Sequence, residues 1–297
     1  MSVFVVIPVH NRLELTRACL ASLREQSFRD FTVVVVDDGS TDGTSNALAN
    51  EFPAVTILSG DGSLWWAGAM NVGVGWALAR AEWDDVVLSL NDDTIPPPDY
   101  LERLLRAHAA SPHALVGSLQ LSAADRATVI DGGVTVNWAT AKYRTAGCGV
   151  TADGDACPGP NLRRVDVLGG RGTLIPVEAL RRTGPYWEQG LRHYAADYEL
   201  SRRAQRAGFD LVVDWGSPLY VREAETGTHA GVAGGGVTGL LRSFWDIRSA
   251  NDFRVRWRFA AAACPRWALP SYVVCDYARV VVGSVRRYQA RYDTRLL

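Results

Sequence analysis

The sequence has 297 residues, of which 47% are hydrophobic and 21% charged, a balance that allows a sizeable core. Its formal net charge of −1 argues against a protein that binds nucleic acid through bulk electrostatics. The five cysteines are scattered and include no CxxC pair, which argues against a zinc site or a disulfide framework. No apolar run approaches the roughly 20 residues that span a bilayer, and no signal-peptide pattern precedes the first strand. We therefore expect a cytoplasmic protein with reduced thiols.

Strand and helix patterns alternate along the first half of the chain. Short apolar runs predict buried strands, and apolar residues at helical spacing follow them. After the first strand, Asn11 and Glu14 have the spacing of a capping box, which predicts that Asn11 caps the first helix. This alternation predicts a doubly wound α/β sheet. The predicted order is strand 3–8, helix 13–25, strand 31–36, helix 47–52, strand 55–58, helix 67–82, a central strand from 86, helix 100–110 and strand 115–121.

The stretch 86–98, VVLSLNDDTIPPP, is the centre of the predicted site. Its apolar run predicts a strand buried on both faces, and Asn91, Asp92 and Asp93 follow at the carboxyl end, where open α/β sheets bind ligands. Adjacent carboxylates repel each other unless a cation lies between them, and their oxygen atoms suit Mg²⁺ or Mn²⁺. The alternative is a solvated turn in which an Asp caps the next helix.

Two glycine-rich segments predict close contact between the backbone and a ligand. The segment 60–75, GDGSLWWAGAMNVGVG, has small residues at 67–69 that permit such an approach, although a tight loop with tryptophans in the core is the alternative. The turn 169–173 can line a cleft in which Arg171 faces an anionic or hydroxylated ligand, or it can form a plain hairpin. Between these segments, short strand-like pieces over 122–164 predict an antiparallel insertion.

The last third of the chain contains a candidate acidic residue and two arginine-rich helices. A helix predicted to start at 193 places Asp197 in its first turn, where the helix N-terminus favours an ionised carboxylate; the alternative is a simple cap. His229 precedes a glycine run and becomes relevant only if the chain folds back on Asp93. Helices predicted over 240–263 and 267–288 interleave arginines with Phe and Trp. They predict contact with an anionic membrane surface, or packing against the domain or a second subunit.

Four motifs in order resemble family 2 glycosyltransferases of the GT-A fold. They are VIPVHNR near the start, VVVVDDGSTDGT, LNDDT and the late acidic helix start. The segment GSLWWAGAMN is similar to bacterial rhamnosyltransferase-like members of that family. The resemblance covers residues 1 to about 230, no G-x-G-x-x-G fingerprint follows the first strand, and the P-loop pattern is missing.

This resemblance implies a doubly wound mixed sheet with helices on both faces and a C-terminal helical appendage. The implied domains are a GT-A domain over 1–235 and a helical region over 236–297. Within the first, residues 1–121 form the half that binds the nucleotide sugar and 122–235 the half that binds the acceptor.

The resemblance also implies roles for individual residues. Asp197 matches the family's catalytic base, Asp93 and His229 match metal ligands for Mg²⁺ or Mn²⁺, and Asp38 matches the carboxylate that contacts the nucleotide base. Asn91 replaces the first Asp of a D-x-D motif, which leaves one negative charge fewer. Met70 stands where relatives often carry Arg. Further implied substrate contacts are Pro8, His10, Arg12, Trp66, Gly68, Asn71, Asn91, Asp92, Gly170 and Arg171.

The implied activity is a metal-dependent, inverting sugar transfer from a nucleotide-diphosphate donor to a glycan or lipid-linked acceptor in bacterial-type surface polysaccharide assembly. We favour rhamnose from a dTDP donor. The implied location is the cytoplasm, with peripheral contact at the inner face of the cell membrane or homodimer formation. A sugar nucleotidyltransferase and a non-catalytic nucleotide-sugar-binding subunit are the alternatives.

Overall fold

The computed structural model describes residues 1–151, 161–223, 237–246 and 249–293. The strands are β1 (Val3–Val9), β2 (Phe31–Asp37), β3 (Thr56–Ser59), β4 (Val86–Ser89), β5 (Thr94–Ile95), β6 (Ala114–Ser122), β7 (Val129–Asp131), β8 (Val134–Asn137), β9 (Lys142–Thr145), β10 (Leu162–Arg164), β11 (Thr173–Pro176) and β12 (Asp210–Val221). The helices are α1 (Leu13–Arg24), α2 (Thr44–Glu51), α3 (Trp65–Leu78), α4 (Tyr100–Ala110), α5 (Val177–Thr183), α6 (Ala196–Arg206), α7 (Val237–Ser243), α8 (Phe253–Ala263) and α9 (Leu269–Asp293).

The main sheet is mixed, with the strand order β10-β12-β6-β11-β4-β1-β2-β3. Strand β1 pairs in parallel with both β2 and β4, so the carboxyl ends of these three strands meet at one edge. Strand β11 runs antiparallel to β4, with Thr173 opposite Ser89, and its amino end therefore reaches the same edge. The insertion after β6 supplies antiparallel pairs, including the separate hairpin of β8 and β9. This arrangement confirms the predicted doubly wound mixed sheet.

Helices cover both faces of the sheet, because successive strand residues point to opposite sides. In β1, Phe4 and Val6 face a core that contains residues of α3, α5, α6, α8 and α9. Their neighbours Val5 and Ile7 face a second core that contains residues of α1, α2 and α4. Helices α8 and α9 therefore share the core of the sheet domain through side chains such as Phe259.

The prediction of one helix over 240–263 is wrong, because α7 ends at Ser243 and α8 begins at Phe253. The side chain of Asp252 caps α8 by accepting hydrogen bonds from the backbone N–H groups of Arg254 at 2.8 Å and Val255 at 3.3 Å. The predicted domain boundary at 235/236 and His229 both lie outside the described residues. Among the helices that the structure describes, none is both long and apolar enough to cross a bilayer.

The predicted cap of α1 is also wrong. Asn11 adopts a left-handed conformation with φ of 54°, and its side-chain oxygen accepts a hydrogen bond from Thr41 N at 2.7 Å. Glu14 forms an ion pair with Arg17 at 2.5 Å instead of completing a capping box. Asn11 therefore joins the first loop to the turn after β2, and Arg12 occupies the cap position of the helix.

Strand β12 is continuous over Asp210–Val221, with a register shift relative to β6 between Asp214 and Pro218. A shift of this kind is a β-bulge, which inserts unpaired residues without ending the strand.

Candidate active site

Four loops meet at the carboxyl edge of the parallel strands. The segments after β1, β2 and β4 carry residues 8–12, 37–43 and 90–93, and the turn 169–172 enters from the start of β11. Between these loops and the C-terminal helices lies a cavity of about 650 Å³. Among the sequence-predicted residues, those that line it are Arg12, Trp66, Asn91, Asp93, Gly170, Arg171 and Asp197.

The two carboxylates after β4 are buried, and each pairs with an arginine from another loop. Arg12 Nη1 lies 2.8 Å from Asp92 Oδ1, and Arg171 Nη2 lies 3.2 Å from Asp93 Oδ2. Asp92 is 3% and Asp93 1% exposed. The pKa of Asp92 is raised to about 7, because burial raises it more than Arg12 lowers it and the charge of Asp93 adds to the rise. The arginines thus compensate part of the cost of burying two adjacent charges.

One oxygen of each carboxylate is left without a hydrogen bond. Asp92 Oδ2 and Asp93 Oδ1 are buried, and no donor among the described residues reaches them. Unsatisfied carboxylate oxygens of this kind fit a hard cation, for which donor phosphates and water would complete the coordination. Across the same described ranges, no group of three His, Cys, Asp or Glu side chains could hold a metal ion. Binding of a metal ion at this site would therefore require additional oxygen ligands from the substrate.

Asp38 holds the loop that precedes α3. Its Oδ1 accepts a hydrogen bond from Gly62 N at 2.8 Å and its Oδ2 one from Trp65 N at 3.0 Å. A Cβ atom on Gly60 would lie 2.6 Å from Asp38 Oδ1, so only glycine allows this close approach. His10 Nδ1 lies 2.6 Å from the backbone oxygen of Asp38. Both carboxylate oxygens of Asp38 thus already have partners; Pro8 lies in β1, and His10 lies in the loop that follows it.

Trp66 lines the cavity beside the glycine turn 169–172. Its Nε1 donates to Asn91 Oδ1 at 3.1 Å, and its ring packs edge-on against Tyr186 with centroids 5.1 Å apart. A Cβ atom on Gly170 would lie 2.2 Å from Trp66 Cζ2, so the indole occupies the space that a side chain there would need. Asn91 therefore fixes the orientation of the Trp66 indole. An ionised Asp at this position could accept the same hydrogen bond.

Gly68 and Asn71 lie behind the cavity wall. Asn71 joins α3 to a distant loop, because its amide exchanges hydrogen bonds with the backbone of Tyr186, both at 2.8 Å, and donates to Glu188 at 2.9 Å. Gly68 is buried where a Cβ atom would lie 3.3 Å from Leu64 Cβ. Both residues support the position of α3 and do not line the cavity.

Asp197 enters the cavity from the first turn of α6, as predicted. Its Oδ2 accepts a hydrogen bond from Gly170 N and its Oδ1 one from Tyr198 N, both at 2.8 Å. Burial raises the pKa of Asp197, and these backbone hydrogen bonds lower it by a smaller amount, so the net shift is upward. The helix N-terminus was expected to favour the ionised carboxylate of Asp197. Burial favours the protonated form and has the larger effect on the pKa. A raised pKa makes this carboxylate a stronger base.

Glu199, two residues further along α6, has a different environment. It is buried and forms an ion pair with Arg203 at 2.9 Å. Arg203 also donates to the backbone oxygen of Pro185 at 2.8 Å. Glu199 therefore fastens α6 to the preceding loop and does not line the cavity.

The wall of the cavity nearest the C-terminal helices was missed by the sequence reasoning. Helices α8 and α9 supply both aromatic and charged side chains there, because Arg256 and Asp276 form an ion pair at 2.7 Å beside Phe259 and Tyr272. The arginines among aromatic residues were interpreted as contact with an anionic membrane surface or as packing against the domain or a second subunit, and neither interpretation assigned them to the cavity. The available signal was the run of arginines and aromatic residues that includes Arg256 and Phe259. This pattern does not show which face of the helix is turned toward the cavity.

Comparison with known proteins places this geometry in a family. The model of Glycosyl transferase family 2 matches residues 4–167, and that of Glycosyl transferase family group 2 matches residues 86–249. A Mycobacterium tuberculosis protein named N-acetylglucosaminyl-diphospho-decaprenol L-rhamnosyltransferase is 29% identical over 229 residues, which cover 71% of this chain and 70% of that protein. An uncharacterized glycosyltransferase of Haemophilus influenzae is 30% identical over 109 residues, but the match covers only 37% of this chain and 35% of that protein.

Solved structures of glycosyltransferases share the fold. The structure of GalNAc-T7 with UDP, GalNAc and Mn²⁺ has a TM-score of 0.59 at 14% identity, and the match covers 94% of this chain and 56% of that one. A mannosyltransferase from Pyrobaculum calidifontis in complex with GDP-Man and Mn²⁺ has a TM-score of 0.54 at 17% identity, with coverage of 99% and 80%. The chain belongs to glycosyl transferase family 2, and it is a glycosyltransferase of the GT-A fold.

Proposed function

We propose that this glycosyltransferase moves a sugar, with inversion, from a nucleotide-diphosphate donor to a hydroxyl group of a glycan or lipid-linked acceptor. The observation that carries the proposal is the single cavity lined by Asp93 and Asp197. Its volume of about 650 Å³ is within the range of small-molecule sites. The favoured donor is dTDP-rhamnose, because the Mycobacterium relative is named an L-rhamnosyltransferase. That name also supports an acceptor sugar linked through diphosphate to a lipid.

Asp93 would hold Mg²⁺ or Mn²⁺ through its Oδ1, which no donor among the described residues reaches, and Asp92 would lie near the ribose or the sugar of the donor. A bound divalent cation would neutralise charge that develops on the leaving nucleoside diphosphate. Both structural neighbours described above were solved with Mn²⁺, which supports a divalent ion. His229 remains a proposed further ligand, since it lies outside the described residues.

Arg12 and Arg171 bind the phosphate groups of the donor in this proposal. Each guanidinium already lies beside a carboxylate of the site, at 2.8 and 3.2 Å. Guanidinium groups form charge-assisted and often bidentate hydrogen bonds with phosphate oxygens. Asp38 supports the nucleotide end indirectly, because it holds the loop that contains Gly62 and Trp65.

Asp197 acts as the general base. A carboxylate oxygen of Asp197 takes the proton of the acceptor hydroxyl while the oxygen of that hydroxyl group forms a bond to the anomeric carbon. The bond between this carbon and the diphosphate oxygen breaks in the same step. One displacement inverts the anomeric centre, by the geometry that distinguishes inverting from retaining glycosidases. A well-placed base contributes about 10²–10⁴-fold to the rate.

A thermal-shift comparison of nucleotide sugars tests the donor assignment. With Mn²⁺ present, we expect dTDP-rhamnose to raise the melting temperature more than UDP-glucose, UDP-N-acetylglucosamine or GDP-mannose. A ligand at 100 times its dissociation constant stabilises by about 2.7 kcal/mol, which is readily measured. A larger shift with a UDP or GDP sugar would reject rhamnose, and no shift with any donor would reject the donor site.

The C-terminal helices contact an anionic membrane surface in the proposed cellular setting. Large apolar side chains are exposed on α8, on α9 and in the turn between them, with Trp257 at 50%, Trp267 in that turn at 75% and Val274 at 69% exposure. Exposed valines recur along α9 at 274, 281 and 285, a spacing that places them on one stripe of the helix. Exposed arginines on the same segment are Arg254, Arg258, Arg266, Arg279 and Arg286. Apolar and basic groups together suit an anionic lipid surface.

Vesicle flotation tests this contact. We expect the protein to float with phosphatidylglycerol vesicles at low salt, and Trp267→Ser to reduce the bound fraction severalfold, because an exposed indole then no longer enters the interface. Trp83→Ser is the matched control, since Trp83 is 54% exposed outside the C-terminal helices. Equal binding by both variants would contradict the assignment. No flotation, with a dimer in sedimentation experiments, would assign the face to a second copy of the chain.

A further inference from the structure

The side of the cavity formed by the C-terminal helices has a composition of its own. Four aromatic side chains line it: Tyr143 from β9, Tyr198 from α6, Phe259 from α8 and Tyr272 from α9. We call these four residues the aromatic wall. The rings of Tyr143 and Tyr198 are stacked with centroids 6.2 Å apart, and Tyr198 lies 6.4 Å from Phe259. Elements far apart in the sequence thus place their rings around one space.

Ring stacking and a hydrogen bond hold the aromatic wall in place. Trp138 stacks on Tyr272 with centroids 5.9 Å apart and on Phe259 at 6.5 Å. The hydroxyl groups of Tyr143 and Tyr272 are hydrogen-bonded at 2.5 Å. Burial raises the pKa of Tyr143 to about 12, so its phenol is neutral at physiological pH. The wall is therefore rigid and uncharged.

A charged pair completes this side of the cavity. Arg256 Nη1 lies 2.7 Å from Asp276 Oδ1, and both residues line the cavity. Arg256 also donates to the backbone oxygen of Ala250 at 2.9 Å, which fixes the guanidinium. The pair has no net charge, but it presents acidic and basic hydrogen-bonding groups side by side. An alkyl chain over the pair would exclude water from its remaining hydrogen-bonding positions, which costs free energy.

We propose that the aromatic wall and the Arg256–Asp276 pair form the acceptor subsite, and that its ligand is a neutral saccharide ring. The C–H faces of a sugar can pack on aromatic rings, whose faces carry partial negative charge. Its hydroxyl groups can donate to Asp276 and accept from Arg256. The inference rests on the proposed function, because it names the substrate class that Asp197 deprotonates.

The position of the wall agrees with this assignment. Tyr198 directly follows Asp197 in α6, so a ring held on the wall lies next to the proposed base. The donor phosphates have their own cationic groups, Arg12 and Arg171, on the other loops of the cavity. An acidic sugar is disfavoured on the wall, because Asp276 neutralises the charge of Arg256.

The subsite is tested by binding, without knowledge of the natural acceptor. The probes are octyl glycosides of glucose, galactose, rhamnose and N-acetylglucosamine at millimolar concentration, followed by saturation-transfer NMR with the full chain. Octyl tetraethylene glycol is the alkyl control, and octyl glucuronide is the acidic control. We expect transfer to the ring protons of at least one neutral glycoside, and weaker transfer to both controls. Binding of the alkyl control as strong as that of every glycoside, or no glycoside binding, overturns the proposal.

Two variants locate the binding. Arg256→Lys keeps the charge but loses the planar fork, and Tyr198→Leu removes one ring; we expect each to weaken glycoside binding by about tenfold, equivalent to 1.4 kcal/mol. Arg258→Lys is the matched control, since Arg258 is on the same helix but exposed and does not line the cavity. Unchanged glycoside affinity in both wall variants overturns the subsite.

The dissociation constant of dTDP-rhamnose, measured by thermal shift in the same samples, separates this proposal from the function on which it rests. Failure of donor binding in the unmodified protein rejects the donor assignment, whereas normal donor binding without a saccharide response rejects only the subsite. A wall variant that unfolds is replaced by Tyr143→Phe, which keeps the ring and removes one hydroxyl group. Its glycoside affinity is expected to fall less than that of the variant that still folds, and the reverse order contradicts the stacking role.

Discussion

Replacing Asp197 with Asn is expected to lower kcat by about 10²–10⁴-fold and to leave the donor dissociation constant close to its original value. Asn keeps the shape of the side chain and one oxygen for the backbone N–H groups of Gly170 and Tyr198, both 2.8 Å away, but it cannot take the proton. One of these hydrogen bonds is lost, which lowers the free energy of unfolding by about 1 kcal/mol. Initial rates and donor thermal shifts on the same protein separate the two effects.

Glu199→Gln is the internal control for this variant. Glu199 is buried and paired with Arg203 at 2.9 Å, so its replacement weakens a charge-assisted contact between α6 and the preceding loop. We expect a lower melting temperature and a nearly unchanged kcat. Loss of kcat in Glu199→Gln together with normal kcat in Asp197→Asn would identify Glu199 as the base.

The pH dependence follows from the upward shift of the pKa of Asp197. A general base works when ionised, and the fraction ionised falls as the pH falls through its pKa. Because burial raises this pKa, the acidic limb of kcat/KM is expected above pH ~4, the region of an ordinary Asp. The limb should be missing in Asp197→Asn. A profile that stays flat down to pH ~4 would contradict the environment described for this carboxyl.

Asp93→Asn is expected to lower kcat/KM by at least about 10²-fold and to abolish tight Mn²⁺ binding in the presence of a nucleoside diphosphate. The amide removes the charge and one strong oxygen ligand from a position that is 1% exposed. It also leaves Arg171 without its carboxylate, which costs about 1–3 kcal/mol of folding stability. Electron paramagnetic resonance of bound Mn²⁺ measures the metal directly, without reference to turnover.

Asp92→Asn is the matched control for Asp93→Asn. It also replaces a buried carboxylate that is paired with an arginine, here Arg12 at 2.8 Å. We expect its Mn²⁺ affinity to fall less than that of Asp93→Asn, because Asp93 is the proposed metal ligand. Equal affinity of Asp93→Asn and the unmodified protein for Mn²⁺ would remove the metal role from this residue.

The strands of the sheet were predictable because their apolar runs are local signals. The predicted strand 31–36 and helix 100–110 differ from β2 and α4 by at most one residue. Asn91, Asp92 and Asp93 lie at the carboxyl edge of the sheet because β4 pairs in parallel with β1. These features depend on burial and periodicity, which a sequence displays directly.

The remaining errors concern contacts between distant segments. Asn11 was expected to cap its own helix, but it bonds with Thr41, thirty residues away. The pairing of Asp93 with Arg171 and the inward face of α8 likewise depend on tertiary packing. The break before α8 had a local signal, since Asp252 is a good cap, but apolar and basic residues on both sides suggested one continuous helix. Caps and charged pairs are therefore the least predictable parts of this site.

The anomeric configuration of the first product tests the central claim most directly. In a ¹H NMR time course with dTDP-rhamnose, the sugar passes either to an acceptor glycoside or slowly to water. With Asp197 as a base and one displacement, the first product has the configuration opposite to that of the donor, and Asp197→Asn forms it about 10²–10⁴-fold more slowly. A first product with the donor's own configuration would contradict the account, because it requires two displacements and an enzyme nucleophile.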